Sequence, residues 1–144
     1  MQATLNMPQS AKFPLPLPAE APVASVRVLV VDDEPGLCEL ACLWLESLGH
    51  EAVSAHSAEQ ALERLQAEPF DVLFTDIVMP GGLDGFALGC AALQRQPRLK
   101  LLFASGYAWS GDEHRMSGTR LLDKPYRKDD LRKALGDLLA GWKP

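Results

Sequence analysis

Four short apolar runs in this chain each give way to a residue able to do polar chemistry. Asp32 and Asp33 follow Val26–Val31, Asp76 closes Phe70–Thr75, Ser105 follows Lys100–Ala104, and Lys124 follows Arg120–Asp123. Runs of this length, rich in β-branched, leucine and aromatic residues, are expected to be buried strands. Each polar residue then stands where the chain leaves a sheet, and in an open α/β sheet the carboxyl ends of the strands frame the ligand crevice. Carboxylates gathered on one rim repel each other unless a cation joins them, and oxygen ligands with room for water suit Mg²⁺ or Mn²⁺. Beside such an ion, Asp76 is a candidate nucleophile toward a phosphoryl group, since carboxylates form aspartyl phosphates. Placement in line and neutralisation of the phosphoryl oxygens would fall to the ion, Lys124 and the Ser105 hydroxyl.

The segments between these runs must supply the scaffold. After Asp32-Asp33-Glu34, Pro35 can open a helix, and Leu37, Leu40, Ala41, Trp44, Leu45 and Leu48 recur at helical spacing until Gly49 stops it. Glu51–Ala55 is expected as a second strand, and Ser57 with Gln60 forms a capping box for a helix carrying Ala61, Leu62 and Leu65 that Pro69 ends. A glycine turn at 81–85 precedes a helix expected to present Phe86, Cys90 and Leu93 inward. Residues 108–118 show no clear period, so a helix there would be short or irregular. Leu131, Ala134, Leu135, Leu138 and Leu139 mark a final amphipathic helix.

Five strands alternating with helices through short connections require right-handed parallel crossovers and a sheet covered on both faces. The expectation is a doubly wound, flavodoxin-like α/β fold with strand order 2-1-3-4-5. That order sets the ends of the first, third, fourth and fifth strands side by side, and with them all the polar residues above.

Composition narrows the functions. A chain of 144 residues with 47% hydrophobic content can bury one ordinary core. Residues 1–25, with five prolines and few charges, are expected to be a disordered leader, and residues 26–144 the folded domain. A formal net charge of −5 argues against direct binding of nucleic acid. Cys38, Cys42 and Cys90 form no CxxC pair and are expected as small core or near-core residues. No run reaches the roughly 20 apolar residues of a membrane span, and no secretory signal is present, so the expected compartment is the cytosol.

Together the motifs Val30-Val31-Asp32-Asp33-Glu34-Pro35, Thr75-Asp76-Ile77-Val78-Met79-Pro80, Asp84-Gly85, Ala104-Ser105-Gly106 and Asp123-Lys124-Pro125-Tyr126 resemble the receiver domain of two-component response regulators. The resemblance runs from about Val26 to Leu139. It implies that Asp76 accepts phosphate from a histidine kinase or a histidine phosphotransfer protein, and that a downstream protein reads the result. It further implies that Asp33 and Asp76 ligate Mg²⁺ directly, with the Val78 carbonyl as a third ligand and Asp32 acting through water. Lys124 would hold a phosphoryl oxygen, Ser105 would turn toward the phosphate, and a cis bond before Pro125 would aim the lysine.

Two departures stand out. The position three before the lysine, aromatic in the family's usual switch, is Leu121, which leaves Tyr107 or Trp109 as substitutes. The Gly81-Gly82-Leu83 loop is one residue longer than the commonest form and is similar to receivers of hybrid kinases. With only residues 140–144 after Leu139, the expectation is a receiver without an output domain, or one from a hybrid kinase, catalysing only its own phosphorylation and dephosphorylation. The alternatives are an aspartate-nucleophile phosphatase, which lacks the second acid because Val78 stands two residues after Asp76, and a docking module that works without phosphate. A flavin-binding domain of similar strand order is a further alternative, opposed by the acids at 32–34, which would repel the cofactor's phosphate.

Overall fold

β1 (Arg27–Val31) divides its side chains between two layers, Val28 and Val30 in one, Leu29 and Val31 in the other. Both sets are buried because helices cover both faces, which is why the run is continuously apolar. β3 (Val72–Asp76) and β4 (Lys100–Ser105) divide the same way: Phe74 and Leu102 pack with Val30, while Leu73, Leu101 and Phe103 pack with Leu29.

This computed structural model describes residues 25–79, 81, 83–106 and 118–140. Within them β2 (Glu51–Ala55) and β5 (Thr119–Asp123) complete a five-stranded parallel sheet in the order β2-β1-β3-β4-β5, as the sequence led us to expect. α1 (Pro35–Ser47) and α4 (Lys128–Leu139) cover the Val28 face. α2 (Ala58–Ala67) and α3 (Gly85–Arg95) cover the Leu29 face. Expectations for residues 1–24 and 107–117, including Tyr107 and Trp109, and for Pro80 and Gly82 fall outside the described residues.

Local signals set the helix starts. Ser57 Oγ accepts from Gln60 N at 3.1 Å, while the Gln60 side chain accepts from His56 N, one residue outside the standard box. Asp84 Oδ1 accepts from Ala87 N at 2.8 Å and so caps α3. α1 begins at Pro35 with no side-chain cap, because Asp32 Oδ1 instead accepts from Glu34 N at 2.9 Å in a tight turn before the helix.

Two helical faces differ from expectation. α1 buries Cys38, Ala41 and Leu45, whereas Leu37 and Leu40, expected inside, are 43% and 40% exposed. Leu45 lies against the sheet with the small Cys38 and Ala41, and Leu37 and Leu40 are turned away from it. α3 buries Gly85, Leu88, Gly89 and Ala92, leaving Phe86 and Leu93 half-buried and Cys90 exposed, so Cys90 is not a core residue. The reason is close packing: a Cβ on Gly89 would stand 3.1 Å from Phe103 Cζ and 3.2 Å from Leu101 Cδ1. Gly89 lets the helix come this close to β4 beside the buried Leu88, and Phe86 packs edge-on against Phe103 at 4.8 Å. No helix among the described residues is long and apolar enough to cross a membrane.

Candidate functional site

Parallel register lines up the strand ends. Val31 pairs with Ala55 and Thr75, Asp76 with Ala104, and Ser105 with Asp123, so the residues leaving β1, β3, β4 and β5 emerge on one edge. Asp76 ends β3 with its side chain 11% exposed. Asp32 follows β1, its N–H donating to Ala55 O at 3.2 Å, and is 6% exposed. One carboxylate oxygen from each of Asp32, Asp33 and Asp76 lies within 4.8 Å of the others, Asp33 being the more solvent-exposed.

Lys124 reaches this cluster from the end of β5. Its Nζ stands 3.2 Å from Asp76 Oδ2 and 3.7 Å from Asp32 Oδ2. Its backbone N–H donates to Ser105 O at 2.8 Å, and the Lys124–Pro125 peptide is cis, as the family resemblance implied. Burial pushes the Asp76 carboxyl above the ordinary carboxylate range, with Asp32 adding to the push; Lys124 and the Val78 amide pull the other way without reversing it. Burial draws the Lys124 ammonium down, yet Asp32 and Asp76 together outweigh this and hold it above the usual lysine value.

These groups share an open cleft of about 380 Å³ lined by Asp32, Asp33, Glu34, Asp76, Val78, Gly106 and Lys124. The three clustered aspartates against one ammonium leave two negative charges uncompensated, and Glu34 on the cleft wall adds a third. The all-oxygen donor set and its partly open side fit a hard divalent cation that keeps some of its waters.

The model of the response regulator receiver domain family matches residues 28–136. The chain belongs to the response regulator receiver domains. This receiver is 33% identical over 116 residues to the response regulator receiver protein CpdR of Brucella abortus, covering 78% of this chain and 96% of that one. Among solved structures it resembles the receiver domain of the hybrid histidine kinase CckA, with a TM-score of 0.68 and 29% identity over 78% of this chain and 98% of that one. It also resembles Thermotoga maritima TrrA in complex with Mg²⁺–BeF, with a TM-score of 0.68 and 27% identity over the same shares, 78% and 98%. Other relatives, transcriptional regulators and sensor kinases, are longer, and this chain spans only 26% and 13% of two of them. Receivers are signalling modules rather than enzymes that turn over a substrate.

The receiver's cleft brings together Asp32, Asp33, Asp76, Val78 and Lys124 as expected. Ser105 is buried at the end of β4, and the cleft wall there is formed by Gly106. Leu121 is half-buried against the Leu29 layer, so an aliphatic side chain occupies the usual switch position.

Two residues that the sequence offered only as members of motifs prove to support the site. Gly85 N donates to Ile77 O at 2.7 Å, and a Cβ there would lie 2.3 Å from Asp76 O, so the start of α3 presses directly on the backbone of Asp76. A glycine immediately after a capping acid, one loop beyond Asp76, was the available signal. Tyr126 packs edge-on against Phe74 at 5.6 Å and helps line a space of about 10 Å³ beneath Asp32 and Asp76, where its burial drives the phenol pKa upward.

Proposed function

We propose that this receiver takes a phosphoryl group onto Asp76 from a phosphohistidine of a histidine kinase or histidine phosphotransfer protein, in a Mg²⁺-dependent reaction, and passes the signal to a downstream protein. The observation that carries this reading is the Lys124 ammonium 3.2 Å from Asp76 Oδ2 on a rim shared with Asp32 and Asp33.

An Asp76 carboxylate oxygen forms the bond to phosphorus as the phosphorus–nitrogen bond of the donor imidazole breaks, leaving an acyl phosphate and a histidine that takes up a proton. Bound through Asp33, Asp76 and the Val78 carbonyl, with Asp32 reaching it through water, Mg²⁺ or Mn²⁺ would neutralise phosphoryl oxygens. Lys124 holds another phosphoryl oxygen, exchanging part of its ion pair with Asp76 for one with the incoming group. Ser105, on the neighbouring strand end, donates its hydroxyl to the phosphoryl group after transfer. Support for the metal comes from the donor set and from the Mg²⁺–BeF complex of TrrA. Val78, exposed at the cleft and two residues after Asp76, has no proton to give, which disfavours the aspartate-nucleophile phosphatase. The net charge of −5 and the absence of a membrane-crossing helix among the described residues fit a cytosolic protein that works through protein partners rather than nucleic acid.

The test is incubation with acetyl phosphate or phosphoramidate and MgCl₂, read by intact mass. Wild type should gain the mass of one phosphoryl group, Asp76→Asn should gain none, and excess EDTA should suppress the gain. Equal labelling of wild type and Asp76→Asn would overturn the assignment.

A further inference from the structure

α1 carries three of the four large hydrophobic side chains that are exposed among the described residues: Leu37, Leu40 and Leu43, the last 55% exposed. Leu37, Leu40 and Trp44 form one wall of a groove of about 350 Å³ whose other wall is Lys124, Pro125 and Tyr126. That volume lies within the ~300–1,000 Å³ range of ligand-binding clefts. Trp44 meets Tyr126 edge-on at 6.1 Å, and Tyr126 is anchored against core Phe74, so the aromatic wall is set by packing. The groove's one charged side chain, Lys124, is engaged by Asp32 and Asp76 on its other side.

The chain itself supplies a segment of matching chemistry. Val26 N donates to His50 Nδ1 at 3.1 Å, and Val26 O accepts from Glu51 N at 3.0 Å, which pins the start of the described chain at the foot of α1. Upstream lies Pro14-Leu15-Pro16-Leu17-Pro18, in a stretch of 24 residues whose only charged side chains are Lys12 and Glu20. Proline-rich segments favour the extended polyproline II form, and aromatic-lined apolar grooves are the surfaces that bind it. The seven residues from Ala19 to Ser25 span ~22 Å at ~3.1 Å each. The climb along α1 from Ser47 to Leu40 is only ~10 Å at 1.5 Å per residue, so the segment reaches the groove.

We propose that Pro14–Pro18 docks in the groove between α1 and the Lys124–Tyr126 loop of the same molecule. Tethering supplies the driving force: a short connection gives an effective concentration of order mM, so a ~1 mM intrinsic affinity fills about half the grooves. The docked segment covers Leu37 and Leu40 and lies along the outer flank of Lys124. This proposal stands on the groove and the tether and does not depend on phosphoryl chemistry.

The test compares 144-residue proteins by NMR. The double variant Leu15→Ser/Leu17→Ser should shift the Trp44 indole N–H and the Leu37 and Leu40 methyl signals, leaving Val53 and Leu62 on the opposite layer unmoved. On the partner surface Leu40→Ser, at an exposed position, should move the Leu15 and Leu17 methyls toward the values of an isolated peptide of residues 10–20. These differences should be unchanged by tenfold dilution. Groove signals indifferent to the leader substitutions would overturn the proposal and leave the groove to another protein. Shifts that vanish on dilution would overturn it in favour of a second copy of the chain.

Discussion

Replacing Gly85 with alanine is expected to destabilise the domain and to displace Asp76 in the same stroke. The added Cβ would sit 2.3 Å from the Asp76 carbonyl oxygen, 2.7 Å from Ile77 Cα and 3.0 Å from the Asp76 carbonyl carbon. Ordinary contact begins near 3.4 Å, so β3 and the start of α3 must part by roughly 1 Å (3.4 against 2.3 Å). Every atom met is backbone, and no rotamer change relieves the overlap. Lifting α3 would loosen Leu88 and Ala92, both fully buried, and moving the end of β3 would disturb its pairing with Ala104. Overpacking costs ~1–3 kcal/mol, and an overlap with backbone alone falls at the upper end; offset by at most ~1 kcal/mol of improved helix propensity, it leaves a net loss of ~2 kcal/mol. A reacting group displaced by ~1 Å loses on the order of 100-fold in rate, and the acetyl phosphate reaction should slow by about that factor. Urea unfolding measures the first effect and an intact-mass time course the second. Gly36→Ala, whose Cβ would meet nothing within 4 Å, is the control and should be neutral or slightly stabilising. A Gly85→Ala midpoint equal to that of wild type would refute the close-approach argument. Lost stability with an unchanged labelling rate would refute only its connection to Asp76.

Three further outcomes follow from the charges at the rim. Because burial raises the Asp76 pKa, the folded protein binds more protons than the unfolded chain between the unfolded value of ~3.9 and the higher folded one, and this group's contribution to stability falls as pH rises through that window. In metal-free buffer Asp76→Asn should therefore be more stable than wild type above the window, with the two urea-midpoint curves meeting below it; curves that stay parallel would contradict the shift. Saturating wild type with MgCl₂ at 100 times its Kd should add ~2.7 kcal/mol of stability, and Asp33→Asn should require more Mg²⁺ for the same gain, both read from thermal melts. Lys124→Met leaves Asp32 and Asp76 facing each other without their ammonium and should cost up to ~3 kcal/mol in EDTA, with a larger fractional recovery on adding Mg²⁺ than wild type shows.

The sheet was legible because its strands are buried on both faces. Such strands appear as unbroken apolar runs, and Val28-Leu29-Val30-Val31 or Val72-Leu73-Phe74 admits little else. Helix faces were less legible, since side-chain size suggests one face and close packing selects another. α3 was expected to turn Phe86, Cys90 and Leu93 inward; Phe86 and Leu93 do pack against the core, half-buried, but Gly85 and Gly89 share the inner face with Leu88 and Ala92, letting the helix approach Ile77, Leu101 and Phe103 closely, and Cys90 is left exposed. α1 shows a partial failure: Ala41 and Leu45 of the expected face lie against the sheet, but Leu37 and Leu40 are turned away and Cys38 joins the inner face. Hydrophobic periodicity identifies a helix; it does not say which of two adjacent apolar stripes is the buried one.

The rim was legible for a different reason, which also explains the kind of partner it requires. Strand order and parallel register, once read, leave no freedom about where Asp32, Asp76, Ser105 and Lys124 emerge, because each is fixed to the end of a strand whose neighbours are known. What the sequence could not supply was the electrostatic balance. One ammonium at 3.2 and 3.7 Å satisfies parts of two carboxylates, and Asp76 still prefers its proton more than a free carboxyl does. A rim in that state gains from a divalent cation, which removes repulsion among the acids, and it gains again when an incoming anion shares Lys124. Cation and phosphoryl group each relieve what the other leaves unpaired, so their binding should be mutually reinforcing. BeF₃⁻ should then bind far more tightly in Mg²⁺ than in EDTA, and Mg²⁺ more tightly in BeF₃⁻, by the same factor, since coupling between two ligands is reciprocal. Unequal factors would mean that a second, separate cation site had been filled.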